Sequence, residues 1–292
     1  CGNTATETSN IIYTDDTTPP SFINPPSDIT VNVDVDNCET SVVYSTPLAE
    51  DCNNPVTVTQ IANSNGDIFA SGAEFPVGTT QIVFQTTDGC SNITTTSFNI
   101  TVIDSQQPTI SCPSNTVTMC VDEDDCVWTS DNSLDPIFND NCGGFDLSYV
   151  VTGMTTAVGD SLPRLDNVEF ILGLSTVTYT LTDTMGNEVT CSFDVLIEDC
   201  QAPNITVCPA DELVECSSAN NATELTNWLM EVMATDNCDT DVTVTNEIWN
   251  TTSDCGNTNT TTYIFTATDD AGNETTCFAD FEITDTTVPI IN

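Results

Sequence analysis

The chain has 292 residues with 45 acidic side chains, a single basic residue, Arg164, and no histidine, so its formal net charge is −44. One arginine cannot form the basic patch that nucleic acids and anionic membranes require, and no run of about 18 apolar residues is present to span a bilayer. The lack of histidine and lysine excludes the Ser-His-Asp triad, His-ligated zinc and the Walker A loop. We therefore expect no nucleic-acid partner and no membrane insertion.

The acidic residues are spread along the whole chain and do not form a tail. A surface of this charge is soluble but repels itself, and salt or divalent cations relieve the repulsion. Two interpretations stay open, a solvated acidic surface and specific calcium sites.

Cysteine usage indicates an oxidising compartment. The chain has 15 cysteines and none of them is in a CxxC zinc pattern, which predicts disulfides and an extracellular or cell-surface location. The odd number leaves at least one cysteine without a partner in the chain. No signal peptide is recognisable, so we expect a mature product or an excerpt of a longer chain.

Four segments of the chain repeat one pattern, a Gly-Asn or Ser-Asn turn, a polar–apolar alternation, an aspartate and a proline. The segments are residues 1–19, 90–108, 185–203 and 271–289, and the shared aspartates are Asp15, Asp104, Asp199 and Asp285. The repeat predicts an orphan last strand, three full repeats and the start of a further repeat or a tail. These parts are residues 1–16, 17–104, 105–199, 200–286 and 287–292.

Within each repeat the elements are short and alternate at period two, as in Ile29–Val33, Thr80–Phe84 and Thr176–Leu181. About 90 residues with some seven short strands predict an all-β protein of tandem Ig-like β-sandwiches. One exception is Thr223–Ala234, where Leu225, Trp228, Leu229, Val232 and Met233 have helical spacing. This predicts a short helix inserted in the third repeat. The second repeat has its own insertion at about 153–168.

Several motifs together resemble the hyalin-repeat (HYR) family of extracellular Ig-like modules. They are Cys112-Pro113 and Cys208-Pro209, Asp140-Asn141-Cys142 and Asp236-Asn237-Cys238, Thr268–Asn273, and Thr276–Phe278. The third repeat is most similar to long surface repeat proteins of marine Bacteroidota, through Val214–Cys216, Trp228-Leu229 and Cys255–Asn257. The resemblance implies an adhesive or structural role. The first repeat departs from the pattern, with Pro25 and Thr96 in place of the opening and closing cysteines.

The joint loss of those two cysteines in the first repeat suggests that they pair where both are present, as Cys112–Cys191 and Cys208–Cys277. Cys120–Cys200 is a further expected bridge, although Cys200 could instead meet Cys216, and Cys238–Cys255 would staple a hairpin region. By analogy only, Cys38–Cys52 and Cys126–Cys142 are suggested. Cys1, Cys90 and Cys216 have no clear partner, and an intersubunit bridge is open to each.

If adjacent repeats stack end to end, the aspartate that closes one repeat approaches two loops of the next. This predicts three acidic clusters: Asp15, Asp16, Asp51, Asp88 and Asn92; Asp104, Asp140, Asn141, Asp183 and Asn187; and Asp199, Asp236, Asn237, Asp269 and Asn273. Calcium binds six to eight carboxylate, amide and carbonyl oxygens and would stiffen such junctions. The alternative is that these residues only form Asx turns.

Seven N-x-S/T sequons occur, which in an extracellular fold predict N-glycosylation. They are Asn92, Asn99, Asn204, Asn221, Asn250, Asn259 and Asn273. Asn92 and Asn273 also belong to predicted calcium clusters, and the two roles conflict. A bacterial source would favour O-glycans at Thr17, Ser161, Thr184 and Thr286 instead.

The sequence thus predicts a non-enzymatic extracellular stalk or filament that self-associates by strand exchange or end-to-end stacking. Close carboxylate pairs are expected by chance among so many acids, so glycoside hydrolysis is disfavoured. The alternative is an adhesin segment that binds a glycan or protein through residues 153–168 and 220–238. A substitution of Trp228 would then abolish binding and spare stability, whereas in a core residue it would unfold the third repeat. Trp128, Trp228 and Trp249 either line a sugar-binding face or, more in keeping with tryptophan, lie in the core.

Overall fold

The computed structural model describes residues 16–52, 55–113, 115–122, 125–159, 165–216, 220–253 and 258–288. Across these ranges the protein is all-β, with one α-helix and one short 3-10 turn at Asn132–Leu134. The strands form tandem Ig-like β-sandwiches. Each predicted repeat contains one main sheet of four or five strands and smaller two-stranded sheets.

The first repeat has a four-stranded main sheet in the order β2-β8-β7-β5 and two small pairs, β1-β4 and β3-β6. Its strands are β1 (Ser21–Phe22), β2 (Ile29–Asn32), β3 (Glu39–Ser41), β4 (Ala49–Glu50), β5 (Thr57–Ile61), β6 (Glu74–Pro76), β7 (Gly78–Thr87) and β8 (Ile93–Ile103). Alternate residues of β7 and β8 are buried, and these side chains pack with Phe75 of β6 to form the core. The period-two pattern therefore places one face of the main sheet inward.

The second repeat has a five-stranded main sheet in the order β10-β17-β16-β13-β14. Its strands are β9 (Thr109–Ser111), β10 (Thr116–Cys120), β11 (Val127–Thr129), β12 (Ile137–Asn139), β13 (Phe145–Gly153), β14 (Ala157–Gly159), β15 (Glu169–Ile171), β16 (Gly173–Asp183) and β17 (Glu188–Glu198). Phe170 and Tyr179 are fully buried. The insertion predicted at about 153–168 contributes β14, which pairs with the outer edge of β13.

The third repeat has a four-stranded main sheet in the order β19-β23-β22-β21, with β18 and β20 as a separate pair. Its elements are β18 (Asn204–Val207), β19 (Glu212–Glu215), α1 (Asn221–Leu229), β20 (Met233–Thr235), β21 (Thr243–Ser253), β22 (Asn259–Thr268) and β23 (Glu274–Thr284). Trp228 of α1 packs against Tyr263, Phe265 and Phe281 of the main sheet.

The inserted helix exists but is shorter than the sequence predicts. It ends at Leu229, and Met233 belongs to β20 rather than to the helix. The N–H groups of Met230 and Glu231 donate to the carbonyls of Asn227 and Trp228, which closes the last turn. The chain then pairs with β18, so strand pairing replaces the second half of the predicted helical stripe.

In each main sheet the first strand runs parallel to the last, as the pairs β2–β8, β10–β17 and β19–β23 show. The pairing continues one residue beyond each first strand, where the N–H groups of Val33, Val121 and Cys216 donate to the carbonyls of Ile103, Glu198 and Thr284. The segment that follows each first strand therefore leaves the sheet beside the end of the last strand, where the closing aspartate lies.

Internal contacts divide the chain into two compact units. The first contains residues up to Thr109 together with Phe138–Asp146 and Leu181–Val189. The second contains Ile110–Ile137, Leu147–Thr180 and the residues from Thr190 onward. The second repeat thus contributes two of its loops to the first unit, and both loops carry residues of a predicted acidic cluster.

Candidate functional site: the acidic clusters and their disulfides

The closing aspartates form Asx turns. The Oδ1 atoms of Asp16, Asp104 and Asp199 accept hydrogen bonds from the N–H groups of Thr18, Gln106 and Gln201, at 3.0, 2.9 and 3.0 Å. The three positions are equivalent in the structure, so Asp16 takes the place that the sequence pattern gave to Asp15. Asp15 itself lies outside the described residues.

A second aspartate and an asparagine four residues later form the turn before each last strand. Asp88, Asp183 and Asp269 are each only 7% exposed. Their Oδ1 atoms accept from the N–H groups of Asn92, Asn187 and Asn273 at 2.8, 2.8 and 2.7 Å, and their Oδ2 atoms accept from the Nδ2 atoms of the same asparagines. The Asx-turn alternative is therefore part of the structure.

The same asparagines also reach the closing aspartates. The Nδ2 atoms of Asn92, Asn187 and Asn273 donate to the backbone carbonyls of Asp16, Asp104 and Asp199, at 3.0, 3.0 and 3.1 Å. One asparagine side chain thus connects the turn before the last strand of a repeat to the closing aspartate that precedes that repeat. Because the arrangement occurs three times with the same geometry, it is a property of the repeat.

Carboxylates converge on these ties in three places. Asp16, Asp51 and Asp88 have ligand oxygens within 4.8 Å of one another, and we name them the N-terminal cluster. Asp104, Asp140 and Asp183 do the same and form the first junction, which lies within the first unit. Asp199 and Asp236 converge with Cys238 in the second junction, within the second unit. Asp269 is absent from that last group, although the sequence predicts it there.

Two of the three groups contain buried oxygens that receive no hydrogen bond from any described residue. They are Oδ2 of Asp51 in the N-terminal cluster, and Oδ1 of Asp140 with Oδ1 of Asn141 at the first junction. Buried polar atoms are normally paired, and oxygens of this kind are the ligands that calcium takes. The residues present therefore fit a cation at these two places. Among the described residues of the second junction no such oxygen occurs, and the Cys238 sulfur is in a disulfide, so it offers no thiolate.

The electrostatics of the groups also differ. Hydrogen bonds from the Asn92 side chain, and then from nearby backbone N–H groups, hold the pKa of Asp88 below its usual value. At the second junction burial raises the pKa of Asp199, and the nearby carboxylates of Asp236, Asp269 and Asp239 raise it further. Asp199 is therefore held in a place that disfavours its own negative charge.

Three disulfides join the cysteines that the sequence analysis expected to pair. They are Cys112–Cys191, Cys120–Cys200 and Cys208–Cys277. Cys112–Cys191 and Cys208–Cys277 each link two segments of the same predicted repeat, and Cys120–Cys200 joins the second repeat to the first residue of the third. Cys200 is therefore not the partner of Cys216.

Three other expected pairs are wrong. The structure joins Cys38 to Cys142 and Cys126 to Cys238, over sequence separations of 104 and 112. These bonds exclude Cys38–Cys52, Cys126–Cys142 and Cys238–Cys255; Cys255 itself lies outside the described residues. The physical reason is the parallel first strand, which leads the next segment towards the following repeat instead of back into its own.

A sequence signal for these two bridges existed. Cys38 and Cys126 each lie six residues after the end of a parallel first strand, at Asn32 and Cys120, and each partner is the cysteine of an Asp-Asn-Cys motif. Polar contacts accompany both bridges, since the Nδ2 atoms of Asn141 and Asn237 donate to the carbonyls of Asn37 and Asp125 at 2.9 and 3.4 Å.

The comparisons with known proteins agree with these motifs. The model of the HYR domain matches residues 15–102 and 103–197, more than half of the chain. The chain belongs to the HYR domain family. The third predicted repeat, residues 200–286, lies outside both matched ranges, and its likeness to bacterial surface repeats stays a prediction.

Two HYR relatives are named Hyalin. The protein from Strongylocentrotus purpuratus is 32% identical over 216 residues, which are 70% of this chain and 16% of the relative. The protein from Lytechinus variegatus is 32% identical over 213 residues, 70% of this chain and 36% of the relative. The chain therefore matches well under half the length of either relative.

Solved structures of tandem domains are more distant. Sidekick-1 immunoglobulin domains 1–5 cover 92% of this chain and 59% of that chain, at 12% identity and a TM-score of 0.39. Drosophila N-cadherin EC1-3 covers 90% of this chain and 99% of that chain, at 13% identity and a TM-score of 0.34. The strand pairings within each repeat establish the Ig-like fold.

The five disulfides among the described residues and membership of the HYR family identify the chain as an extracellular repeat segment. Among the described residues, the longest helix is too short and too polar to cross a bilayer.

The sequons of these HYR repeats have different surroundings. Asn204 and Asn250 are exposed, whereas Asn99, Asn221 and Asn259 are half-buried. The Nδ2 atoms of Asn92 and Asn273, to which a glycan would attach, each donate two hydrogen bonds within the acidic groups. Glycosylation at Asn92 or Asn273 would break those ties, so Asn204 and Asn250 are the better candidates.

The three tryptophans also differ in how deeply they are buried. Trp228 is 3% exposed and its Nε1 donates to the Ala210 carbonyl at 2.7 Å, so it belongs to the core and not to a ligand site on the insertion. Trp128 is half-buried against Phe170. Trp249 is 66% exposed, which contradicts the expectation of a core residue. A substitution of Trp228 is therefore expected to destabilise the third repeat, as the sequence analysis gives for a core residue.

Proposed function

We propose that the chain is part of an extracellular stalk or filament in which successive HYR repeats are locked end to end by disulfides and stiffened by calcium. The observation that carries the proposal is the pair of bridges, Cys38–Cys142 and Cys126–Cys238, which each connect one predicted repeat to the next. A short linker alone leaves neighbouring domains free to move. A covalent bond beside each linker restrains that motion, so the role is mechanical and requires no catalytic step.

Calcium is proposed for the first junction because its ligands are assembled and incomplete. Asp104 is 2% exposed and Asp183 is 7% exposed, yet both are carboxylates within 4.8 Å of Asp140. Like charges at this separation repel, and Oδ1 of Asp140 and Oδ1 of Asn141 receive no hydrogen bond from the described part of the chain. A divalent cation would neutralise the repulsion and use those oxygens. The N-terminal cluster has the same carboxylate set and would bind in the same way.

The calcium proposal is tested by titrating Ca²⁺ into the chelator-treated protein in a calorimeter, with Mg²⁺ as the comparison ion. The variant Asp140→Asn should remove one site. The control Asp146→Asn changes an exposed aspartate of the same repeat and should leave all sites intact. Equal binding by the protein and by Asp140→Asn would reject the first junction as a calcium site.

Filament formation is proposed from the same repetition, because a face that accepts one repeat can accept another. The natively oxidised protein is imaged by electron microscopy in calcium and after chelation. Regular filaments in calcium support self-association, and their loss on chelation assigns it to the clusters. Isolated particles under both conditions would contradict filament formation, and the stalk would remain as the proposed role. Residues 1–16, the proposed exchanging strand, lie outside the described residues except for Asp16.

A further inference from the structure

The outer strand of the third main sheet is β21. β21 is 11 residues long, ten of them are exposed and one is half-buried, and it stands at the end of the strand order. Among the described residues no strand pairs with its outer edge. In the second repeat, by contrast, β14 covers the corresponding edge of β13 through Tyr149–Gly159, Val150–Val158 and Val151–Ala157. An uncovered edge of this length is a template for another strand.

A large aromatic surface adjoins that edge. The register of β21 with β22 shifts between Ile248 and Asn250, so Trp249 is the extra residue of a bulge. Trp249 is 66% exposed and meets Phe278 edge to face, with ring centroids 5.5 Å apart, and Phe278 is 50% exposed. Phe278 directly follows the closing cysteine of the third repeat. The residues at the same position in the first and second repeats are Ser97 and Ser192. Trp249 and Phe278 thus form an exposed aromatic surface on the third repeat, and exposed apolar patches commonly mark binding sites.

The same face is acidic. Glu247 and Phe278 are both cross-strand partners of Ile264, and such partners share one face of a sheet. Asp280 and Glu282 follow Phe278 at period two and lie on that face as well. The face therefore presents two aromatic rings and three carboxylates. In a chain of net charge −44, it repels anionic ligands.

We propose that β21 and the Trp249–Phe278 surface bind an extended basic peptide segment of a partner protein. The open edge offers backbone hydrogen bonds to an added strand. The carboxylates offer partners for arginine and lysine, and the Trp249 ring offers a face for a cation. A neutral sugar would also stack on Trp249, but it would use neither the backbone edge nor the three carboxylates. The inference goes beyond the mechanical role and does not depend on it.

The test measures fluorescence polarisation of a labelled ten-residue peptide of alternating arginine and threonine, titrated with the oxidised protein. Binding should weaken about tenfold in Trp249→Ala and in Phe278→Ser, because both remove aromatic surface at the centre of the contact. Phe278→Ser installs the residue that the other two repeats carry. The control Ile137→Thr changes an 81% exposed apolar residue of the second repeat and should bind like the parent. Unchanged thermal midpoints would show that the variants fold.

Two further probes separate the sources of binding. A peptide with alternate backbone nitrogens methylated cannot extend the sheet and should bind at least tenfold more weakly, whereas equal binding would overturn strand addition. Binding of a chitin hexasaccharide but not of the basic peptide would overturn the peptide in favour of a sugar. Asn250 is a sequon beside Trp249, so each titration is repeated in Asn250→Gln. Equal binding by Trp249→Ala and the parent in that background would reject the site.

Discussion

The first and second junctions share a covalent bond and differ in their acidic residues. The first junction joins Cys38 to Cys142 beside three carboxylates, and the Nδ2 of Asn141 donates to Oδ2 of Asp104 at 3.1 Å. The second joins Cys126 to Cys238 beside two carboxylates, and no corresponding bond from Asn237 to Asp199 is found among the described residues. The disulfide is thus common to both junctions, whereas the number of carboxylates that could bind a cation differs between them.

The linker glutamines follow the same division. Gln106 exchanges two hydrogen bonds with Asp36, at 2.9 and 3.2 Å, whereas Gln201 donates one to the Asp122 carbonyl at 2.8 Å. Both glutamines bring the segment after a first strand towards the linker. A comparison of the two junctions therefore separates what the disulfide contributes from what a cation would add.

The largest expected effect comes from removing the shared part. The double variants Cys38→Ser/Cys142→Ser and Cys126→Ser/Cys238→Ser each open a loop of more than 100 residues. Closing a loop of that size stabilises the folded protein by about 4–5 kcal/mol. Calorimetry should therefore show a similar, large decrease in the free energy of unfolding for both variants. A loss in one variant only would show that the bridges are not equivalent.

Calcium should then distinguish the junctions. Affinity rises with the number of charged ligands, so Asp140→Asn at the first junction should weaken calcium binding at least tenfold, measured by calorimetric titration. Asp236→Asn at the second junction should change the binding curve far less. Equal effects of the two substitutions would contradict a difference in calcium binding between the two junctions.

The smallest effect concerns the second junction without cations. The pKa of Asp199 is raised, so its contribution to stability is present at low pH and is lost as the pH rises through that pKa. In chelator at pH 7, Asp199→Asn should raise the free energy of unfolding by a few tenths of a kcal/mol, because solvent screens most of the repulsion. A lower thermal midpoint for Asp199→Asn would refute this.

The same substitution at Asp88 should have the opposite effect on stability. Its pKa is lowered, so its contribution is present at neutral pH and is lost as the pH falls through that pKa. Asp88→Asn should therefore lower the thermal midpoint in the same buffer at pH 7. A rise for both variants would mean that general charge repulsion, and not local hydrogen bonding, decides the outcome.

The strands and the disulfides within repeats could be predicted from the sequence because both depend on local pattern. Period-two alternation placed Thr80–Phe84 and Thr176–Leu181 inside β7 and β16. The shared loss of two cysteines identified Cys112–Cys191. The acidic groups were also largely predicted, since turn motifs recur at fixed places in each repeat.

The sequence-based predictions that were wrong depend on contacts between repeats or on packing. Cys38 and Cys126 pair across repeats, which spacing within one repeat cannot show. The helix stripe continued past Leu229 in the sequence, but pairing of β20 with β18 ended it. Trp249 could not be recognised as exposed because its position depends on a bulge in an uncovered edge strand.

The most direct test of the central claim is the distribution of angles between neighbouring repeats, measured by electron microscopy on single oxidised molecules in calcium. The parent protein should show narrow distributions at both junctions. Cys38→Ser/Cys142→Ser, compared with the parent when both are in chelator, should broaden the angle at the first junction and leave the second unchanged. Equal angle distributions in the parent and this variant would contradict an array of repeats locked by disulfides.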